Sequence, residues 1–254
     1  MRLVTSGLTI ALIACLAACT ATPTASLAPT ESAEPTDPTS QGSSDSIEVT
    51  SIYYPVAVGN RWVYSIDYGS GSLVTDTEVM TAIHAEGDGA RVSISRTFHW
   101  DDKSRPDVTD SVDYVFAADG SLTVPFQSIP SAESTIIVSS GTVAWPTPAE
   151  FDAGTTKTGR IEASVFTNGT TAKETVDFTI SGGGVQDVTV PAGTFSARVL
   201  NQALVVSLPD LDVNGLALTA VAWLDESVGL VKTIVPDHNG ATITQVLVSF
   251  TPGR

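Results

Sequence analysis

From residue 61 onward, apolar and polar residues alternate with a period of two, and runs of helical period are absent. Trp62, Tyr64, Ile66 and Tyr68 fall on one face of a first strand, and Arg61, Ser65 and Asp67 on the other. Val92, Ile94, Phe98 and Trp100 alternate in the same way against Arg91, Ser93, Ser95, Thr97 and His99. Each run has the pattern of an antiparallel strand with one buried and one wet face. Turn chemistry separates the runs: Gly87-Asp88-Gly89, Asp119-Gly120, Asn168-Gly169, Asn214-Gly215 and Asn239-Gly240 supply the positive φ of tight hairpins. Val190-Pro191-Ala192-Gly193 fits a type I turn, its proline presetting the first corner. The pattern predicts an all-β fold, an antiparallel meander of about a dozen strands forming a large sandwich or a curved, partly open barrel.

Two stretches break the alternation. Leu200, Leu204 and Val206 oppose Val199, Ala203 and Val205, and Leu216, Leu218 and Leu224 oppose Val221 and Trp223, so both parities are apolar. Strands of this kind call for cover on both faces. The expected cover is the opposite wall on one side and, on the other, the segment 126–159, a partner or a bound apolar ligand.

The first 46 residues have a different character. Arg2 is followed by an apolar run over residues 3–16, interrupted by Thr5, Ser6 and Thr9. It is shorter than the ~20 residues a spanning helix needs and reads as a signal segment. It ends in Leu16-Ala17-Ala18-Cys19, which resembles the lipobox of bacterial lipoprotein precursors. That resemblance implies cleavage before Cys19, acylation of its thiol, and attachment to the membrane through the acyl chains, with the rest of the chain extracytoplasmic. Residues 19–46 are rich in Thr, Ser, Pro and Ala and lack aromatic residues, so they cannot bury enough apolar surface to offset their ordering entropy. A coil of that length reaches on the order of 30 Å. The predicted organisation is a signal peptide over 1–18, a lipidated cysteine and disordered linker over 19–46, and one β-rich domain over 47–254.

Charge and cysteine content narrow the partners. The formal net charge is −16, and loss of Arg2 with the leader makes it −17. This repels nucleic acid and anionic head groups, and leaves the acyl chains as the anchor. Cys15 and Cys19 are the only cysteines, so the mature chain has no disulfide and no thiolate metal site.

A second resemblance rests on three landmarks: Tyr54-Pro55-Val56-Ala57-Val58-Gly59-Asn60-Arg61-Trp62-Val63-Tyr64; then Val188-Thr189-Val190-Pro191-Ala192-Gly193-Thr194-Phe195; then Trp223 with Val228-Gly229-Leu230-Val231-Lys232. In this order they resemble a broad group of uncharacterised β-rich bacterial envelope proteins. The resemblance implies a fold and an extracytoplasmic address, and gives Tyr54, Pro55, Gly59, Asn60, Trp62, Tyr64, Pro191, Gly193, Phe195, Trp223 and Gly229 architectural roles. Asp225-Glu226-Ser227 stands where the group has small and proline residues. More distantly the chain is similar to the open β-barrels of lipoprotein carriers, which place helices in the concavity where this chain offers none.

Candidate chemistry is sparse. His84, His99 and His238 include no pair at metal-ligand spacing, no serine lies in a Gly-x-Ser-x-Gly elbow, and Gly69-Ser70-Gly71-Ser72 reads as a flexible turn. Gly182-Gly183-Gly184 lacks the lysine of a phosphate cradle and reads as a hairpin connection. Asp210-Leu211-Asp212-Val213-Asn214-Gly215 opens like a calcium loop, but Val221 stands where the closing glutamate belongs, so an Asp/Asn/Gly turn accounts for it. Asp101, Asp102, Asp107, Asp110 and Asp113 form an acidic cluster. Asp107 and Asp113 share a parity with Thr109 and Ser111 and line a wet face, while Asp110 is in phase with Val112, Tyr114 and Phe116. Arg96, in phase with Val92, Ile94 and Phe98, is its candidate partner. No catalytic residue, metal or cofactor is assigned. The favoured reading is a membrane-anchored extracytoplasmic lipoprotein with a non-catalytic binding domain. The alternatives are a carrier or sensor of an apolar ligand and, last, a hydrolase of envelope polymers, for which no apolar site to raise a carboxylate's pKa is visible.

Overall fold

The computed structural model describes residue 49 and residues 51–69, 73–101, 106–125, 134–167, 170–236 and 242–253. Cys19, the leader, the linker, Asp102 and His238 lie outside these, as do Ser70-Gly71-Ser72, Asn168-Gly169 and Asn239-Gly240. The strands are β1 (Arg61–Asp67), β2 (Leu73–Glu86), β3 (Gly89–Trp100), β4 (Val108–Phe116), β5 (Leu122–Val124), β6 (Ser134–Ser140) and β7 (Val143–Trp145). After helix α1 (Pro148–Asp152) come β8 (Lys157–Thr167), β9 (Thr170–Val190), β10 (Gly193–Leu208), β11 (Val213–Asp225), β12 (Gly229–Pro236) and β13 (Thr242–Thr251). They form one antiparallel sheet in the order β6-β8-β9-β10-β11-β12-β13-β1-β2-β3-β4-β5-β7. The all-β expectation holds.

The sheet curls without closing: among the described residues its edge strands β6 and β7 do not pair with each other, and Gly141-Thr142 links them. Its inner face forms one core that includes Trp62, Ile94, Phe98, Val176, Leu204 and Leu247. Extra residues at irregular pairings help a strand bend. Pairing shifts register between Arg198 and Leu200, and between Val63 and Tyr64 where β1 meets β13. The β9–β10 hairpin turns at Pro191 and Ala192, as its sequence predicts, and bends until the Ala192 amide donates to the Leu247 carbonyl at 3.2 Å.

One end of the concavity is sealed by aromatic residues. The Tyr53 hydroxyl donates to the Pro146 carbonyl at 2.6 Å, and its ring meets Trp145 edge-on at 5.0 Å. Tyr54 packs edge-on against Trp62 at 6.0 Å and Tyr114 at 5.8 Å. The Trp62 indole donates to the Val228 carbonyl at 2.5 Å. Asn60 ties the strand entry down: its amide donates to the Pro55 carbonyl at 2.9 Å and accepts from the Gly253 amide at 2.7 Å.

Four expectations need correction. A helix is present: Thr147 and Glu150 form a reciprocal capping box around α1, with proline in its first turn. Gly182-Gly183-Gly184 lies within β9 and is no connection; a Cβ on Gly182 would sit 2.9 Å from the Phe151 carbonyl oxygen. Asn214-Gly215 lies within β11, because the chain reverses at a 3-10 turn over Pro209–Leu211 and Asp212, whose φ is 56°. The segment 126–159 supplies no second cover where it is described: β6 and β8 extend the sheet, β7 pairs with β5, and α1 packs on β9. The outward Val205 is 41 % exposed, and Ala203 and Ala217 are exposed beside it.

Gly229 joins turn geometry to packing. Its φ is +83°, and a Cβ there would lie 2.5 Å from a Tyr54 ring carbon. Gly215 has φ +67°, and a methyl group on it would meet nothing within 4 Å, so it isolates the backbone cost. Gly215→Ala should cost about 1 kcal/mol, and Gly229→Ala about 2–4 kcal/mol because overpacking adds to the strain. Chemical denaturation of the two variants checks the order.

Candidate functional site

The inner faces of β2, β3 and β4 carry charge where the core pattern calls for apolar residues. Asp76 and Glu78 lie between Val74 and Met80 in inward phase, and Arg96 between Ile94 and Phe98. Pairing places Glu78 beside Arg96, and Arg96 beside Asp110. Asp76, Glu78 and Arg96 are 1 %, 3 % and 1 % exposed. Arg96 Nη2 lies 3.5 Å from Asp76 Oδ2, its Nε lies 3.3 Å from Glu78 Oε1, and its guanidinium sits 4.3 Å from the Phe98 ring centre.

These contacts are attractive but poorly aligned as hydrogen bonds. Arg96 Nε and Nη1, both carboxylate oxygens of Asp76 and of Asp110, and the hydroxyls of Tyr64 and Tyr114 are buried with no hydrogen-bond partner. With three carboxylates against one guanidinium, full ionisation would leave two uncompensated negative charges in a dry interior. Burial, opposed by Arg96, pushes Asp76 up to about 6. Burial and the neighbouring Asp76 push Glu78 up to about 8, and burial also raises Asp110. Glu78 therefore holds its proton at neutral pH. Burial lifts the hydroxyls of Tyr64 and Tyr114 well above their ordinary range.

The opposite wall carries a second kind of buried polar group. Glu174 on β9 is 1 % exposed, neither of its oxygens has a partner, and burial pushes it up to about 7. Gln202 on β10 and Gln245 on β13 are also buried on the inner face. The expectation that no apolar setting raises a carboxylate is thus overturned at Glu78 and Glu174. A carboxyl acting as acid or base must reach its substrate, and in this conformation Glu78 and Glu174 are enclosed by the core.

The residues singled out from sequence separate into distinct places. Asp110 faces inward against Arg96 as expected, while Asp113 accepts from Ser93 at 2.7 Å and Asp107 meets His99 at 2.7 Å on the outer face. Asp210 accepts from the Lys173 amide at 2.9 Å, which ties the 3-10 turn to β9. Among the described residues no group of three or more His, Cys, Asp or Glu is placed to hold a metal ion. Tyr54, Asn60, Trp62 and Gly229 meet at the sealed end, and Pro191 and Gly193 form the hairpin tip that reaches β13. Trp223 faces outward, its indole donating to Gln186 at 3.2 Å and its ring lying 5.4 Å from Lys232 Nζ. Sequence reasoning missed Asp76 and Glu78, although their inward phase between Val74 and Met80 was a readable signal.

No family model and no curated protein matches the chain. Two crystal structures are similar to it. One is a "putative lipoprotein" from Parabacteroides distasonis, with a TM-score of 0.62 and 15 % identity over 80 % of this chain and 100 % of that one. The other is a "putative exported protein with YmcC-like fold" from Bacteroides fragilis, with a TM-score of 0.58 and 12 % identity over the same shares. The likeness is one of fold. At these identities no site residue transfers.

The raised carboxylates give stability a direction in pH. Asp76 and Glu78 bind protons more tightly folded, at about 6 and about 8, than at their unfolded values of 3.8 and 4.5. Their contribution is therefore fully present below about pH 4 and is lost as pH rises through 8. Melting temperature should fall across this window, and Glu78→Gln should flatten the fall above pH 6. Arg96→Met should cost about 3–5 kcal/mol at pH 8, because it strands buried carboxylates; urea denaturation at pH 5 and pH 8 measures both effects.

Proposed function

We propose that the protein is a lipoprotein anchored through Cys19 and displayed outside the cytoplasmic membrane, and that its β domain is a binding module that performs no chemistry. The observation that carries the address is the tetrad Leu16-Ala17-Ala18-Cys19 behind a short apolar leader. The fold shared with a "putative lipoprotein" supports it. Two acyl chains hold such a protein firmly, since each buried methylene contributes ~0.8 kcal/mol and one chain alone binds only marginally.

The binding role is supported by the enclosure of the carboxyls that burial raises most, Asp76, Glu78 and Glu174. Glu78, the carboxyl that burial raises furthest, is 3 % exposed and pinned beside Arg96, an arrangement suited to fastening strands together. The remaining surface offers turns and strand faces, which suit recognition. The net charge of −16 directs that recognition away from nucleic acid.

Growth with a tagged palmitate analogue tests the anchor. The chain should incorporate label and sediment with membranes. Cys19→Ala should abolish both, while Cys15→Ala, which alters only the leader, should retain both. An unlabelled native chain, or label persisting in Cys19→Ala, would overturn the proposal.

A further inference from the structure

Asp110 stands on the one strand of the charged wall that has an unpaired edge. A row of neighbours crosses β1 to β4 in the order Trp62, Glu78, Arg96, Asp110. Among the described residues β4 pairs with β5 only at Val115 and Phe116, so its leading half has β3 as its one paired neighbour. Val112, Tyr114 and Phe116, which anchor β4 in the core, all lie beyond Asp110. Val108, Thr109 and Ser111 are half-buried or exposed. On the outer face this stretch is clasped by Thr97 with Thr109 at 3.2 Å and by His99 with Asp107 at 2.7 Å.

The charges around Asp110 do not balance. The titratable groups that meet there are Asp76 and Glu78 on β2, Arg96 on β3, Tyr64 on β1 and Tyr114 on β4. Arg96 makes its ion pairs with the two carboxyls of β2, and both oxygens of Asp110 are buried with no hydrogen-bond partner. One cation thus serves three carboxyls and is committed to two of them. Burial pushes Asp76 up to about 6 and Glu78 up to about 8, and raises Asp110 above its ordinary value. As these protons leave, β2 cannot carry its charges to water, because it is paired on both sides, with β1 and with β3. Asp110 needs only the unpairing of a strand edge.

We propose that residues 108–111 are a proton-operated latch: the leading half of β4 stays paired with β3 while the cluster keeps its protons, and swings to water as they leave. Asp110 binds its proton more tightly closed than open, so closure is favoured at acid pH and is lost as pH rises. Val112, Tyr114 and Phe116 remain in the core, which makes the event a local opening and keeps the rest of the fold intact. Arg96 stays with Asp76 and Glu78, and the release bares the β3 edge at Thr97. The inference depends on neither the anchor nor the binding role.

Hydrogen exchange of the full-length protein from pH 5 to pH 9, with exchange times scaled to the intrinsic rate at each pH, tests it. An opening that sheds one proton grows about tenfold per pH unit while the closed form still holds that proton, so protection of residues 108–111 should fall about tenfold across the range. Dilute urea should leave it unchanged while lowering the protection of β10, because urea acts in proportion to the surface exposed. Asp110→Asn should keep the latch shut at pH 9, and Glu78→Gln should lessen the fall. Residues 108–111 found unprotected at pH 5, or equally protected at pH 5 and pH 9, overturn the proposal. So does exchange that quickens with urea as that of β10 does, which would make it whole-molecule unfolding. An undiminished fall in Asp110→Asn overturns it as well and assigns the release to the His99–Asp107 contact; should that variant not fold, an undiminished fall in Glu78→Gln decides in the same way.

Discussion

A single antiparallel sheet of thirteen strands can bury one face only by folding that face onto itself. Among the described residues there is no second sheet to pack against, and the one helix, five residues long, packs on β9. Everything therefore depends on curvature and on what plugs the end of the curl. Trp62 stands at the middle of this arrangement, on the strand that joins the two halves of the sheet, with its indole bonded to the turn before β12. Tyr54 lies across it and reaches Tyr114 on β4. Gly229 is glycine because a side chain there would occupy the space of the Tyr54 ring. The hairpin tip completes the closure by bonding to β13 where the β1–β13 pairing is irregular. The three landmarks, far apart in sequence, answer one mechanical requirement.

The wall built from β1 to β4 is fastened differently. A guanidinium between carboxylates in a dry interior is an expensive way to hold strands, because desolvation offsets most of the Coulombic attraction. It has one property that apolar packing lacks: it is directional. Arg96 can meet Asp76 and Glu78 on one neighbour and face Asp110 on the other only when β2, β3 and β4 are in register. A slip by one residue would send these charges to the outer face. The proton kept by Glu78 makes the arrangement tolerable near neutrality.

Much of this was legible from the chain, for identifiable reasons. Alternation gave the strands, and parity put Arg96 and Asp110 on the same inner face in register, although the ion pairs of Arg96 go to Asp76 and Glu78. The Pro191-Ala192 turn was readable because proline and glycine leave few alternatives. The misses have physical causes. Thr147-Pro148-Ala149-Glu150 carries a capping box too short to produce a periodic signal. Asn214-Gly215 has turn chemistry, yet Asp212 takes the left-handed conformation first and completes the reversal before them. Asp76 and Glu78 share the parity of Val74 and Met80, but threonines and charges fill the stretch between those two, so the alternation is fainter there than on β1 or β3. Leader, linker and Cys19 lie outside the described residues, and the case for them rests on sequence.

The two walls differ in how readily their contacts can be exchanged. Contacts on the β8–β13 wall come largely from aliphatic side chains, whose attraction is non-directional and roughly proportional to the area removed from water. Such a surface loses little when one apolar neighbour replaces another. The β1–β4 wall has no such freedom, since drawing Arg96 away from its carboxylates would leave charge stranded in the core. That asymmetry places an exchangeable apolar surface beside a rigid one, and it follows from the positions of four charged side chains.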